Sequence, residues 1–228
     1  MPNATIAMTA MPLAPWLRWF GIALALTGWF ALALQLYLSL QLSVSNGKTI
    51  AAGFVIYFGF FTILTNLIVA VALGAQLLWP ETRVGKFFAR PDVNTAVAAY
   101  IAVVGIVYSL LLRHIWNPQG AQLIVDRLLH DVVPVAFLVY WWFAVPKQGL
   151  RWLQAPRWLV YPLAYFVYSL IRGELTGLYP YPFIDVTQLG YERTFINATG
   201  MVLGFLLVAL MLIAVSRLQA PRKAAQVS

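Results

Sequence analysis

The sequence predicts an all-α polytopic membrane protein: six transmembrane helices in one bundle, with both termini cytoplasmic. Three observations carry this. The 228 residues are 62% hydrophobic and only 10% charged, with a mean hydropathy of +0.80, whereas a soluble domain is nearer half apolar and a quarter charged. The apolar residues fall in runs of roughly 20 or more, enough to cross about 30 Å of hydrocarbon. The cations are also asymmetric, with ten of the 15 Lys and Arg on the side that carries both termini.

The spans follow in order. The first covers about residues 16–42 and is too long for a cleaved signal segment. The turn Ser43-Val44-Ser45-Asn46-Gly47-Lys48 leads to the second, about 50–79, which ends at Pro80. A loop with Arg83, Lys86 and Arg90 precedes the third, about 93–112. Trp116-Asn117-Pro118-Gln119-Gly120 turns the chain into the fourth, about 121–145. Lys147, Arg151 and Arg157 precede the fifth, about 158–171, and a Gly/Pro/Tyr segment precedes the sixth, about 194–215. The cytoplasmic side then holds Arg18, Arg83, Lys86, Arg90, Lys147, Arg151, Arg157, Arg217, Arg222 and Lys223, as the positive-inside rule requires. Residues 1–228 form a single transmembrane domain, with no room for a soluble one.

Composition also excludes function classes. The net charge of +8 sits in short loops between spans, so it marks topology and not a nucleic-acid partner. There are no cysteines, which removes disulfides and thiolate chemistry, and two histidines are too few for most zinc sites. No phosphate loop or dinucleotide fingerprint occurs. Neither a metal nor a cofactor is expected.

The costly residues are those inside the spans. His130 and Asp131 lie in the fourth, followed by Pro134. Ionisable groups there lose their water, and Pro134 cannot donate to the carbonyl of His130 four residues back. A kinked helix with an unpaired His130 carbonyl is therefore expected. In the second span Thr62, Thr65 and Asn66 cluster on neighbouring faces. At about 1.5 Å per residue, Thr62, Thr65 and His130 all fall roughly 8–14 Å below the outer surface. A hydroxyl beside an imidazole is the minimum for nucleophilic catalysis, and either threonine can supply it. Asn66 or Tyr165 can donate to a developing oxyanion. Asp131 follows Arg127 by four and can equally form a helix-surface ion pair.

The segment Arg172–Tyr191 is the other unusual stretch. Its prolines deny it regular structure, and Tyr179, Tyr181 and Phe183 give it an apolar surface suited to the headgroup zone. It is expected to cap a cavity, with Arg172 offering an anion contact and Asp185 a partner for His130 or Arg172. Gly200 and Gly204 form a small-residue pair suited to helix packing. Two Asn-x-Thr patterns, at Asn3 and Asn197, are discounted as glycosylation sites because of their placement.

Leu129-His130-Asp131-Val132-Val133-Pro134, Phe61-Thr62-Ile63-Leu64-Thr65-Asn66, Trp116-Asn117-Pro118-Gln119-Gly120 and Arg172-Gly173 through Tyr179-Pro180-Tyr181-Pro182-Phe183-Ile184-Asp185-Val186 resemble the bacterial Pr-six-Pr integral membrane family. The resemblance covers about Phe54 to Asn197. That family is distantly similar to the eukaryotic androgen-induced membrane proteins, six-span hydrolases of fatty acid esters of hydroxy fatty acids that use a membrane threonine and a histidine. The resemblance implies Thr62 as nucleophile and His130 as base in a bacterial cytoplasmic (inner) membrane. Thr65, Asn66, Asp131, Tyr165, Arg172, Tyr181, Asp185 and Asn197 are then the supporting or substrate-binding candidates, and the partner is a membrane lipid or long-chain acyl substrate. The rival expectation is a non-catalytic lipid or anion binder or transporter with a proton-linked His/Asp/Arg site.

Overall fold

A computed structural model describes residues 13–219; the basic tail after Gln219 and the Asn3 pattern lie outside them. The described residues form an all-helical structure without strands. In chain order the helices are α1 (Pro15–Ser45), α2 (Ile50–Tyr57), α3 (Phe61–Leu78), α4 (Arg83–Phe88), α5 (Pro91–Val107), α6 (Ala121–Arg127), α7 (Val133–Ala144), α8 (Ala155–Trp158), α9 (Val160–Thr176) and α10 (Val186–Gln219). Four helical runs are long and apolar enough to cross a membrane: Pro15–Ser45, Phe61–Leu78, Pro91–Leu112 and Val186–Gln219.

At the centre stands α5. From Asn94 to Val104 every residue is buried, the pattern of a helix covered on all sides. Ala96, Ala98, Ala99 and Ala102 keep its girth small, so α3, α7 and α10 pack closely around it. The core joins Leu24 of α1, Leu73 of α3, Ile101 of α5 and Phe137 and Trp141 of α7, and α1 packs against α2, α3 and α7.

Several elements depart from the sequence expectation. The second span is not one helix: it breaks at Phe58–Phe60, so α3 starts at Phe61. The fifth extends to Thr176, and the sixth starts at Val186 with a kink at Gly190, whose φ of 70° favours glycine. Where the fourth span is expected, the backbone stays helical on either side of Pro134. A widened π-helical turn, Leu128–Val132, joins α6 to α7, with the Val133 N–H donating to the Leu128 carbonyl five residues back. The turn absorbs the donor that Pro134 lacks. Gly105 of α5 lies against this point, where an added Cβ would sit 3.3 Å from both the His130 carbonyl oxygen and Pro134 Cβ. A second π-helical turn, Tyr108–Leu112, extends α5 opposite the first. Gly200 and Gly204 are exposed and face no packing partner within 4 Å.

Candidate functional site

The break before α3 decides where Thr62 sits. Phe60 caps α3 with extended dihedrals and offers no side-chain acceptor, so the first N–H groups of the helix need partners from elsewhere. One comes from 119 residues away: the Tyr181 hydroxyl lies 3.3 Å from the Thr62 N–H, which donates to it. Thr62 is thus the second residue of an 18-residue helix, where backbone donors and the helix dipole favour negative charge.

Across from it, on the π-helical turn, His130 presents Nε2 at 3.3 Å from Thr62 Oγ1. Its other nitrogen, Nδ1, is 3.0 Å from the Asp126 carbonyl oxygen and 3.2 Å from Asp126 Oδ1. Both are acceptors, so the proton is assigned to Nδ1, and Nε2 is left to accept from the threonine. Asp126 is only 3% exposed, and its second oxygen accepts from the Tyr108 hydroxyl. The Tyr108 ring also stacks on the imidazole, with centroids 3.9 Å apart and planes 13° from parallel. Two widened turns therefore face each other, one holding the imidazole and the other the ring that covers it.

The bonds run in one direction. The Thr62 N–H donates to the Tyr181 oxygen, which leaves the phenol proton for Thr62 Oγ1, 3.4 Å away. The threonine proton then points to His130 Nε2, and the imidazole N–H to Asp126. Burial holds the Tyr181 phenol above its ordinary pKa, so it remains a donor at neutral pH.

One face of α9 fixes the segment that delivers Tyr181. The helix break leaves carbonyls in and just before it without helical partners, and side chains at 165, 168 and 172 take them up. Tyr165 donates to the Gly59 carbonyl at 2.9 Å, Tyr168 to Phe58 at 3.3 Å, and Arg172 to Val55 at 3.2 Å. Arg172 also donates to Leu178 at 2.9 Å, joining the break to the Pro/Tyr segment. Its guanidinium lies so close to Gly59 that an added Cβ would come within 2.5 Å. Tyr181 then packs inward between Phe60 and Phe183, only 9% exposed.

Other candidates have different duties. Asp131 does not face His130; it pairs with Arg113 and with Arg127, the latter at 2.9 Å. Asp185 bonds neither His130 nor Arg172. It holds the first turn of α10 through the N–H of Thr187 at 3.0 Å and the side chain of Gln188 at 2.7 Å. Arg172 donates through Nε and Nη1 to the Val55 and Leu178 carbonyls. Thr65 turns to the Tyr161 hydroxyl at 3.0 Å, and Asn197 donates to the Phe183 carbonyl at 3.0 Å. Asn66 gives its amide protons to the carbonyls of Thr62 at 2.9 Å and Leu129 at 3.2 Å, and Tyr165 is committed to Gly59. Neither is free for an oxyanion. Sequence reasoning missed Asp126 and Tyr108. Asp126, four before His130 on the same helix face, was visible as spacing; Tyr108 carried no local signal.

Thr62, Tyr108 and Tyr181 form the polar end of a cavity of about 350 Å³. The rest of its wall is largely apolar, from α5, α9 and α10. Leu163 of α9 and Phe195 and Leu203 of α10 line it while being 44%, 51% and 60% exposed. The cavity therefore reaches the outer face of the helices between α9 and α10. No family model, curated protein or solved structure matches this chain.

Proposed function

We propose that this protein is an intramembrane hydrolase of lipid esters, with Thr62 as nucleophile and His130 as general base. One observation carries the reading: Thr62, which lines an apolar cavity, has its Oγ1 3.3 Å from His130 Nε2, and His130 Nδ1 is held by Asp126. His130 takes the threonine proton as Oγ1 attacks the ester carbonyl carbon and returns it to the departing alcohol; water then attacks the acyl carbon, its proton passing through His130 to Thr62 Oγ1 as the acyl–Oγ1 bond breaks and the acid leaves. Asp126 fixes the tautomer and offsets the imidazolium charge. The Tyr181 hydroxyl donates to the developing oxyanion, helped by the amino end of α3. The acyl chain enters sideways between α9 and α10 and occupies the cavity. Fatty acid esters of hydroxy fatty acids are one substrate class, in keeping with the resemblance to the Pr-six-Pr family.

The six-span reading supports this placement. α1, α2 with α3, α5, the α6–α7 run, α9 and α10 are the spans, in a bacterial inner membrane with cytoplasmic termini. Because the chain has no cysteine, single-cysteine variants test it directly. Gln119→Cys is expected to react with an impermeant maleimide from the outside and Glu81→Cys only after permeabilisation; the reverse pattern overturns the topology.

The rival, a proton-linked binder or transporter, draws on His130, Asp131, Arg172 and Asp185, which have separate partners. Release of fatty acid from a long-chain ester by purified protein, with Thr62→Ala and His130→Ala alongside, tests the hydrolase. Equal turnover by all three excludes it.

A further inference from the structure

From the bonds around the π-helical turn we infer that Asn66 is a positioning residue, tying the helix of the nucleophile to the turn of the base through the whole reaction. This duty rests on the hydrolase reading, because it concerns how that pair is held. Within the turn the Val133 N–H donates to the Leu128 carbonyl. The next donor in that register belongs to residue 134, and proline has none. The Leu129 carbonyl, one residue before His130, is therefore left without a helical partner and needs one from elsewhere. Asn66 supplies it from α3, with Nδ2 3.2 Å from the Leu129 oxygen. The same Nδ2 lies 2.9 Å from the Thr62 carbonyl oxygen, one turn earlier on α3. Two carbonyls settle which end of the amide faces them, because Oδ1 in that place would meet only acceptors. Asn66 is fully buried, and its Oδ1 has no partner among the described residues. An unpaired buried acceptor is destabilising, so the favourable contribution of this amide lies at its donor end.

Timing separates this tie from the catalytic bond. Among the described residues, Thr62 and Asn66 are the two side chains of α3 that hydrogen-bond the turn. Asp126 and Tyr108 hold the imidazole from its own helix and from the end of α5, not from α3. The Thr62–His130 bond depends on the Oγ1 proton, which leaves when Oγ1 is acylated. From then on Asn66 alone joins α3 to the turn, since its two carbonyl partners take no part in the chemistry. His130 must still stand beside Thr62 for the second half. There the water oxygen bonds the acyl carbon and gives its proton to Nε2. The bond from the acyl carbon to Oγ1 breaks, Oγ1 recovers the proton, and the free acid leaves. Asn66 therefore matters most to deacylation.

The test uses the purified full chain in detergent with p-nitrophenyl hexadecanoate, whose good leaving group makes acylation fast. Asn66→Leu is expected to slow steady release of hexadecanoate by about 10²-fold, the scale of a 1 Å misplacement. The first equivalent of p-nitrophenol should be delayed much less. A burst then appears, kcat and KM fall together, and a hexadecanoyl mass accumulates on the peptide containing Thr62. Asn66→Ser, whose hydroxyl bonds back to the Thr62 carbonyl but is too short for Leu129, is expected to behave alike, and it carries the comparison should the leucine variant fail to fold. Asn94→Leu is the control. Asn94 is 2% exposed and donates to the Phe88 and Arg90 carbonyls at the start of α5, so its loss should lower the midpoint of thermal unfolding without a burst or an adduct. A lowered midpoint in the Asn66 variants with neither burst nor adduct overturns the positioning role and leaves the hydrolase standing, as does an equal burst in Asn94→Leu. Parent protein that releases no more hexadecanoate than Thr62→Ala overturns the two together.

Discussion

His130 Nδ1 lies 3.2 Å from Asp126 Oδ1, one helical turn earlier in the chain, while the adjacent Asp131 turns away to Arg113 and Arg127. Two carboxylates within five residues thus have different duties. Asp126→Asn is expected to lower kcat by about 10²–10⁴-fold, because an amide no longer enforces the tautomer. Asp131→Asn should stay within a few-fold of the parent. Steady-state hydrolysis of a long-chain ester by both variants checks this, and equal losses would reject the assignment.

Tyr181 donates toward Thr62 and receives its backbone N–H. Tyr181→Phe keeps the ring packing but removes the hydroxyl proposed as the oxyanion donor. We expect kcat to fall by about 10²–10³-fold with KM nearly unchanged. A change confined to KM would make Tyr181 a packing residue.

Arg172 spans the break between α2 and α3 and the segment holding Tyr181. Arg172→Met strands the Val55 and Leu178 carbonyls, at a cost of about 1–3 kcal/mol each. Thermal unfolding in detergent should show the loss, and Arg172→Lys should recover only part of it because an ammonium lacks the fork that reaches both sites.

The mouth between α9 and α10 predicts a size-dependent effect. Leu203→Trp fills exposed space beside the cavity. KM for a long-chain ester should rise several-fold, while a short soluble ester is turned over as before. Equal effects on both would place entry elsewhere.

Gly105 allows α5 to meet the π-helical turn of His130. Gly105→Val would push its side chain into the His130 carbonyl and Pro134, so both stability and activity should fall. The overpacking cost is about 1–3 kcal/mol, read as a lower midpoint of thermal unfolding.

Much of this was written in local sequence. Apolar run length made the chain helical and membrane-suited, because spanning segments in lipid must satisfy their own backbone. The depth shared by Thr62 and His130 followed from counting residues, and the spacing of 161, 165 and 168 marked one face of α9. Pro134 signalled an irregular turn, and the structure forms a π-helical turn at Leu128–Val132. What residue spacing alone left undecided was how the alcohol and the imidazole are completed. Tyr108 reaches His130 only because α5 packs on the α6–α7 run. Tyr181 reaches Thr62 only because Arg172 and Tyr165 tie the broken second span to α9. Helix periodicity acts over four residues, whereas these contacts join positions up to 119 residues apart. Only the packing of the bundle brings them together.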